Sequence, residues 1–398
     1  MAADPRPEDP VRELNNAAVR AMAAGDFPAA QDFLKRALRL SRSSSSIWLN
    51  FAASCRALSD LPGAMAAVEE ALKIEPRSFM GLLMKGSLLE RQGLARKAAS
   101  AYRPAVLLAP LEETLDVSTR QALRHAREFS ERYTREFSDF LRAEVADMAE
   151  KGSSAEAKRI NAFIDISLGR KRHYLQEPSE YTYPGLPSIE FYEREEFPWL
   201  PELERSTDAI REELRQVLVD DFRDFAPYVA YADGVPLDQW AELNRSTRWG
   251  AMHLFVYGER VEKNCVRCPR TTEALALLPM PNMPGRSPAA MFSALQPKTR
   301  IPPHTGVANT RLIVHLPLIV PEGCGYRVGN QVRAWSEGEA WVFDDTIEHE
   351  AWNDSDQPRV ILICDIWNPR LNQTEQELIL RVVSAMDRFN GSTPRVDL

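Results

Sequence analysis

The stretch that decides the fold runs from Met291 to Trp367. It contains MFSALQPKTRIPPHTGVANTRLIVHLPL (291–318), AWVFDDTIEHEAWN (340–353) and RVILICDIW (359–367). Short runs rich in Val, Ile, Leu and Trp alternate with Pro, Gly and acidic turns, which predicts a series of β-strands. His304 and His349 lie beside such runs, and Arg359 opens the most apolar one.

These three residues suggest one kind of chemistry. Non-haem Fe(II) oxygenases hold iron on two His and one carboxylate, and they leave positions open for cosubstrate and O2. A 2-oxoglutarate cosubstrate then needs a cation, and an Arg rooted in a strand is a bidentate partner for its far carboxylate. Gly306 stands where the carboxylate ligand would be expected. From the residues alone, His304 and His349 are therefore either metal ligands or structural histidines.

Several motifs occur together in this part of the chain. They are Ser293, PPHTG (302–306), NTRLIVHLPL (309–318), FDD-x-x-x-H-E-x-W (343–352) and Arg359. In this order they resemble the aspartyl/asparaginyl β-hydroxylase family, and the likeness extends from about Tyr181 to Pro369. That family has a glycine where most related oxygenases carry the acidic iron ligand, so Gly306 fits the pattern.

The resemblance implies an oxygenase domain folded as a double-stranded β-helix, or jelly roll. It also implies the site residues: His304 and His349 for Fe(II), Arg359 and Ser293 for the distal carboxylate of 2-oxoglutarate, Trp249 and His315 beside the cosubstrate, and Arg311 for the acidic side chain of the substrate. His304, His349 and Arg359 form the catalytic set. Ile313 departs from the family, which tends to have an Arg at this place.

The reaction that the resemblance implies is O2-dependent hydroxylation of aspartyl or asparaginyl residues in a protein or peptide. In this reaction 2-oxoglutarate becomes succinate and CO2. Two alternatives stay open: an oxygenase of the same family that acts on a lipid or small metabolite, and a non-catalytic repeat scaffold. Intact His304, His349 and Arg359 argue against the scaffold.

Gly306 is the least usual feature of the implied site. Water is expected to take the place of the missing ligand. A carboxylate introduced at this position is expected to reach the iron, because residues two apart lie on the same face of a strand. Alternatively, the position requires glycine because its backbone adopts a positive φ.

Residues 11 to 110 repeat with a period of 34. Equivalent positions carry small residues at Ala18, Ala52 and Gly86, at Ala30, Ala64 and Ala98, and at Ala37, Ala71 and Ala105. The pattern resembles the tetratricopeptide repeat, a helix–turn–helix unit of this length. Such repeats stack into a solenoid with a concave face. That face would dock a peptide or protein partner, and a purely structural or dimerising role is the alternative.

The predicted fold class is therefore multidomain α + β, an N-terminal α-solenoid followed by a jelly-roll oxygenase domain. The predicted segments are the tetratricopeptide-like domain at 1–110, a helical capping segment at 111–178, the hydroxylase-like domain at 179–372, and a C-terminal helix and tail at 373–398. The second boundary is placed where the composition turns rich in Pro and aromatic residues.

Composition restricts the remaining classes. The chain has 398 residues, 44% of them hydrophobic, and a formal net charge of −8 without a basic block, so a nucleic-acid partner is not expected. Neither a signal peptide nor a membrane span is expected. Five cysteines favour a reduced, cytoplasmic location. Cys265 and Cys268 have the spacing of a zinc half-site or redox pair, but we favour a loop pair without metal.

Overall fold

The computed structural model describes residues 10–149, 153–219 and 222–391. Residues 1–9, for which the sequence analysis predicts no signal peptide, and the tail at 392–398 lie outside this range. The chain divides into two compact units, with the boundary between Leu168 and Gly169. The first unit is helical and the second contains antiparallel β-sheets.

Helix pairs build the first part of the N-terminal unit. The helices are α1 (Pro10–Ala23), α2 (Phe27–Leu40), α3 (Ser45–Ala57), α4 (Leu61–Ile74), α5 (Phe79–Arg91) and α6 (Ala95–Leu107). Helices α2, α4 and α6 begin 34 residues apart, which confirms the period in the sequence. Asp26 and Asp60 cap α2 and α4 by accepting hydrogen bonds from the backbone N–H groups of Ala29 and Gly63, both near 3 Å.

Small residues let these helices approach closely. Ala18, Ala52 and Gly86 occupy equivalent positions, and all three are buried. A side chain at Gly86 would overlap the ring of Tyr102 on α6. The repeated alanines of the sequence are therefore packing positions between helices, where a larger side chain would force neighbours apart.

Two further helices follow the repeats within the same unit. They are α7 (Val117–Ala149) and α8 (Ser154–Ser167). The first part of α7 buries Leu123, Ala126 and Phe129, and Phe129 packs edge-to-face on Tyr102 of α6. This helix therefore covers the apolar side of the last repeat, which a solenoid end requires.

The C-terminal unit contains five helices and eleven strands within the described residues. The helices are α9 (Leu200–Arg205), α10 (Thr207–Leu218), α11 (Glu262–Arg267), α12 (Pro269–Leu275) and α13 (Gln373–Asn390). The strands are β1 (Ala226–Pro227), β2 (Trp249–Val256), β3 (Glu259–Arg260), β4 (Ala290–Leu295), β5 (Thr299–His304), β6 (Arg311–Ile319), β7 (Cys324–Val328), β8 (Gln331–Ala334), β9 (Trp341–Phe343), β10 (His349–Asn353) and β11 (Arg359–Trp367).

The strands form two antiparallel sheets among the described residues. The larger has the order β1-β2-β4-β11-β6-β9, with β3 beside β2, and the smaller has the order β5-β10-β7-β8. From β4 to β7, successive strands alternate between the two sheets. The chain thus crosses repeatedly from one sheet to the other, and residues distant in sequence become neighbours.

Each face of the larger sheet covers a separate core. On one face, residues such as Phe292, Leu316 and Leu362 pack against α9, α10 and α12. On the other face, Leu295, Ile313 and Phe343 pack against Ile301 and Tyr326 of the smaller sheet. Strands buried on both faces explain the continuous apolar run that begins after Arg359.

Two other expectations can be compared with this unit. The C-terminal helix predicted at Gln373 to Asn390 is confirmed. The prediction that Cys265 and Cys268 lie in a loop is wrong for Cys265, which is buried in α11, whereas Cys268 is buried in the one-residue connection between α11 and α12. All five cysteines are free. Among the described helices, none combines the length and apolarity that crossing a membrane takes.

Candidate active site

His304 and His349 meet where two strands of the smaller sheet pair. His304 is the last residue of β5 and His349 the first of β10, and they are direct partners in the antiparallel register. Their ring centroids lie 4.1 Å apart. The two histidines that the sequence placed 45 positions apart therefore share one point of the fold.

Backbone carbonyls fix both imidazole rings. His304 Nδ1 lies 2.8 Å from the carbonyl oxygen of Pro302, and His349 Nδ1 lies 3.0 Å from that of Ile347. A carbonyl oxygen only accepts, so each Nδ1 carries the hydrogen and each Nε2 keeps a free lone pair. Metal-binding histidines are commonly oriented in this way.

Both rings are also kept neutral. Burial lowers the pKa of His304, and the hydrogen bond to Pro302 opposes this only in part. Burial, together with the neighbouring His304, lowers the pKa of His349 well below its usual value. A neutral imidazole is the form that binds a metal ion, so the environment favours ligation over protonation.

Asp345 fills the space in front of Gly306. A Cβ atom at Gly306 would overlap the carboxylate of Asp345, and the Gly306 N–H donates to the Asp345 carbonyl oxygen at 2.7 Å. Gly306 is not among the residues with positive φ. The alternative of a positive φ at Gly306 is therefore wrong. A side chain introduced at this position would first meet the carboxylate of Asp345, and its reach to a metal stays a prediction. The position needs glycine because an acidic side chain from another strand connection occupies the place.

The carboxylate of Asp345 is a polar group without a complete set of partners. Its Oδ1 is buried and accepts no hydrogen bond from the described residues. Burial raises the pKa of Asp345 to about 7, although the guanidinium of Arg311 opposes the rise. An unsatisfied carboxylate oxygen beside two free imidazole nitrogens is suited to hold a water molecule near a cation.

Arg359 is a buried cation with free donors. It is the first residue of β11 and is 2% exposed, and its Nε and Nη1 have no hydrogen-bond partner in the described part of the chain. Burial lowers the pKa of Arg359 to about 10. An unpaired buried guanidinium is costly, which indicates that a bound anion completes the site.

The other predicted cosubstrate residues lie in the same cavity. Trp249 donates from Nε1 to the hydroxyl of Ser293 at 3.2 Å, which orients both side chains. His315 is buried, and its Nδ1 has no partner among the described residues. Burial, with a contribution from Arg359, lowers the pKa of His315 well below its usual value. Each of these groups can serve a dicarboxylate as a neutral hydrogen-bonding partner.

Two tryptophans that the sequence analysis missed pack against residues that line the cavity. Trp335 stacks on His315 with 5.6 Å between ring centroids, and the guanidinium carbon of Arg359 lies 5.5 Å from the centroid of Trp335. On the other side, Trp240 contacts His304 edge-to-face at 5.1 Å. Neither tryptophan belongs to a motif or to a periodic run, so only the folded chain places them here.

The cavity formed in this way measures about 100 Å³. It is lined by Tyr228, Trp249, Met291, Ser293, Ile301, His304, Thr305, Gly306, Val307, Ile313, His315, Tyr326, Phe343, Asp345, His349, Ala351, Arg359, Ile361 and Ile363. Six of the seven predicted site residues are among them.

The seventh, Arg311, is placed differently. Its guanidinium is 4% exposed and pairs with Asp365, with 3.2 Å between Nη1 and Oδ2, and it lines a separate small cavity. Burial by itself would lower the pKa of Arg311. The nearby carboxylates of Asp345 and Asp365 outweigh this effect, so the pKa of Arg311 is raised. The expected grip of Arg311 on the substrate stays a prediction; in this structure its guanidinium pairs with Asp365.

The histidine pair has no third protein ligand of the usual kind. No group of three or more His, Cys, Asp or Glu side chains that could hold a metal occurs in the described ranges. This agrees with a site of two histidines, in which Asp345 stands nearby without joining them. Any metal bound here would leave most of its coordination positions to water and small molecules.

Comparison with known families identifies this domain. The family model described as aspartyl/asparaginyl beta-hydroxylase matches residues 204–369. These residues match the aspartyl/asparaginyl β-hydroxylase family. The match includes every residue of the predicted site, from Trp249 to Arg359, and confirms the family that the motifs suggested.

Two relatives illustrate the range of the aspartyl/asparaginyl β-hydroxylase family. The ornithine lipid ester-linked acyl 2-hydroxylase of Rhizobium tropici is 37% identical over 198 residues, which are 48% of this chain and 64% of that protein. The aspartyl/asparaginyl beta-hydroxylase of Homo sapiens is 32% identical over 222 residues, 54% of this chain and 28% of that protein. The chain thus spans less than two thirds of either relative.

Solved structures resemble the helical unit. The tetratricopeptide domain of Arabidopsis OM64 has 19% sequence identity and a TM-score of 0.27, and it covers 30% of this chain and 94% of that structure. The Sgt2 tetratricopeptide domain from Aspergillus fumigatus has 20% identity and a TM-score of 0.28, and it covers 33% of this chain.

The contact between Gly306 and Asp345 generates a prediction. We expect Gly306→Ala to destabilise the protein by about 1–3 kcal/mol, because the new methyl group must displace a buried carboxylate. In a protein that already carries Asp345→Ala, the same substitution should cost much less. Chemical denaturation of the four proteins in this double-mutant cycle measures the coupling. An equal cost in both backgrounds would show that something other than Asp345 excludes a side chain.

Proposed function

We propose that this protein is an Fe(II)- and 2-oxoglutarate-dependent hydroxylase. One observation carries the proposal: two imidazoles with free Nε2 atoms share a cavity with a buried, unpaired Arg359. The two imidazoles suit a divalent transition metal, and the guanidinium of Arg359 suits a dicarboxylate. Their combination in one cavity is the requirement of a 2-oxoglutarate-dependent oxygenase.

Fe(II) fits the histidine end of the cavity. His304 and His349 would be its protein ligands, since their Nδ1 atoms are occupied and their rings are neutral. Asp345 would accept a hydrogen bond from water on the metal through its unsatisfied Oδ1. With two neutral protein ligands, such a site would bind iron more weakly than one with a carboxylate ligand, and it would keep more positions open.

2-Oxoglutarate fits the Arg359 end. The guanidinium would pair with the distal carboxylate, and the Ser293 hydroxyl, already held by Trp249, would add a second hydrogen bond. Trp335 would keep the Arg359 guanidinium from turning away, because its ring lies beside it. His315 would contact the other end of the cosubstrate. Ile313, where the family tends to have an Arg, leaves that end with one charged contact fewer.

When bound, iron, 2-oxoglutarate and O2 would supply the oxidising chemistry, which converts 2-oxoglutarate to succinate and CO2 and inserts one oxygen atom into a C–H bond. The chain itself would orient these groups and exclude bulk water. Apolar side chains such as Met291, Ile361 and Ile363 also line the cavity. They would protect the reacting centre and keep Arg359 desolvated, which strengthens its hold on an anion.

We further infer that the domain is a double-stranded β-helix. The alternation of β4 to β7 between two antiparallel sheets supports this architecture. Both histidines lie at ends of strands in the smaller sheet, while Arg359 begins a central strand of the larger one. Such a sandwich would leave the metal near one end of the barrel, where a substrate can enter.

The family name favours aspartyl or asparaginyl residues of a protein or peptide as the substrate. The human relative with 32% identity carries this activity in its name. The helical repeats of the N-terminal unit would then dock the protein substrate, which is the usual use of a stacked concave surface. We also propose a cytoplasmic location, which the five free cysteines favour.

A second substrate class has a specific observation in its favour. Arg311, the residue expected to hold an acidic side chain, is committed to Asp365 and lies outside the cavity of the histidines. Apolar side chains such as Met291, Ile361 and Ile363 contribute to the lining of that cavity. A fatty-acyl chain would suit such a lining, and the Rhizobium relative is named as a lipid acyl hydroxylase. The non-catalytic scaffold remains the third alternative.

The metal assignment predicts the effect of losing either histidine. His304→Ala and His349→Ala should each weaken Fe(II) binding by at least about 100-fold and abolish succinate formation. Loss of a residue that only orients a metal ligand already costs about 10–100-fold in metal affinity, and loss of the ligand itself should cost at least as much. His253→Gln, outside the cavity, is the control and should retain both. Iron titration and succinate release measure these effects. Undiminished turnover by His349→Ala would remove the assignment.

The cosubstrate assignment predicts graded effects at Arg359. Arg359→Met should weaken 2-oxoglutarate binding by at least about tenfold, because a charge-assisted bidentate pair contributes roughly 1.5–3 kcal/mol. Arg359→Lys should restore only part of the affinity, since a point charge cannot replace the planar fork. Arg300→Met, at an exposed arginine that pairs with Asp354, is the control. Titration with 2-oxoglutarate would refute this role if all four proteins bound it equally.

The two substrate classes predict different products. With iron and 2-oxoglutarate, the purified chain should add one oxygen atom to an Asp- or Asn-containing peptide if the first class is correct, and to a fatty-acyl lipid if the second is. Mass spectrometry detects the added oxygen, and the His349→Ala protein controls for non-enzymatic oxidation. Succinate release in the absence of any modified substrate leaves the oxygenase proposal intact, whereas no succinate under any condition favours the scaffold.

A further inference from the structure

Two loops of the C-terminal unit lead to the histidine pair. Loop 305–310 begins directly after His304, and loop 344–348 ends directly before His349. A metal ion shared by both imidazoles needs a fixed separation between their Nε2 atoms, because the length of a metal–ligand bond varies by only about 0.2 Å. Any group that holds the two loops together therefore helps to define the metal site.

Gln176 joins these two loops through both ends of its side-chain amide. Its Nε2 donates to Oδ2 of Asp344 at 2.5 Å, and its Oε1 accepts a hydrogen bond from Nδ2 of Asn309 at 2.9 Å. Asn309 belongs to the first loop and Asp344 to the second, and both are fully buried. Gln176 lies outside the residues 204–369 that match the family model, so no motif of the site includes it.

The neighbouring groups fix the orientation of both amides. The backbone N–H of Tyr183 can only donate, and it donates to Oδ1 of Asn309 at 2.7 Å. Asn309 must then present Nδ2 to Gln176, which in turn presents Nε2 to Asp344. The other carboxylate oxygen of Asp344 accepts from the backbone N–H and the hydroxyl of Thr346. A buried polar network in which each of these donors meets an acceptor is rigid.

The backbone that follows Gln176 adds bonds to the same two loops. The N–H of Glu177 donates to the carbonyl oxygen of Thr346 at 2.7 Å, and the N–H of Ser179 donates to that of Gly306 at 3.0 Å. This short segment near the start of the C-terminal unit therefore lies across both loops. Its backbone bonds do not depend on the identity of the side chains, so the side chain of Gln176 is the part that a substitution can test.

We propose that Gln176 is a positioning residue of the metal site, which keeps the loops after His304 and before His349 at the separation that a metal ion bound by both histidines requires. Gln176 does not line the cavity of the histidines, so it acts through the two loops and not by contact with the metal. Asp345 gains the same support, because it directly follows Asp344. The inference rests on the metal site of the proposed function.

Titration of the full-length chain with Co(II) tests this role, because Co(II) binds nitrogen ligands more tightly than Fe(II) and its absorption bands report ligation. Gln176→Ala should weaken Co(II) binding by about tenfold. Loss of a group that orients a metal ligand costs about 10–100-fold, and Gln176 acts one contact further away. Gln376→Ala is the matched control and should bind Co(II) like the wild type. Gln376 also donates a hydrogen bond, to the carbonyl oxygen of Leu371 at 3.1 Å, but it belongs to α13 and joins neither loop.

A paired exchange separates this role from a general effect on stability. Gln176→Glu alone sets a second buried carboxylate against Asp344 and should weaken Co(II) binding by about tenfold or more. When Gln176→Glu is combined with Asp344→Asn, the hydrogen bond between the two side chains can form in the reverse direction, while Asn309 and Thr346 keep their acceptors. This double variant should recover the Co(II) affinity of the wild type to within about threefold, which a double-mutant cycle measures.

Three results would overturn the inference. They are wild-type Co(II) affinity in Gln176→Ala, an equal loss of affinity in Gln376→Ala, and no recovery of affinity in the double variant. A wild-type protein that binds neither Co(II) nor Fe(II) would instead overturn the proposed function, and this inference with it. Chemical denaturation of each variant verifies that the titrations are made on folded protein.

Discussion

The antiparallel pairing of β5 with β10 is the constraint on which the candidate site depends. It sets His304 directly opposite His349 and brings their rings to 4.1 Å. A shift of one residue in this register would turn one imidazole to the other face of the sheet. The backbone carbonyls of Pro302 and Ile347 then fix each ring, so the orientation of the two Nε2 atoms follows from strand geometry.

Some buried charged side chains of the C-terminal unit pair with each other, and others have no partner among the described residues. Arg311 and Asp365 satisfy each other, and the hydroxyl of Ser287 also donates to Asp365. Arg359 and the Oδ1 atom of Asp345 remain without partners inside the cavity. The paired groups form a rigid wall, whereas the unpaired ones carry a desolvation cost that a bound anion and a hydrated cation would relieve. A ligand that pairs with Arg359 and Asp345 would therefore gain the free energy that the desolvation of these two groups costs.

The sequence determined much of the architecture because its signals are local. A 34-residue period in small residues is enough to specify stacked helix pairs, since each helix packs mainly on its neighbours in sequence. Short apolar runs between turns likewise indicated the strands around His304, His349 and Arg359. Their order along the chain, together with the family motifs, indicated which side chains meet in one cavity.

Only the tertiary structure decided the contacts between distant positions. Asp345 occupies the space in front of Gly306, Asp365 neutralises Arg311, and Trp335 lies beside Arg359. These partners come from different strands or strand connections, and which of them touch depends on sheet register and on the crossing of the chain between two sheets. No local pattern records that register. The sequence therefore named the residues of the site, and the fold decided which of their charges are free to bind a ligand.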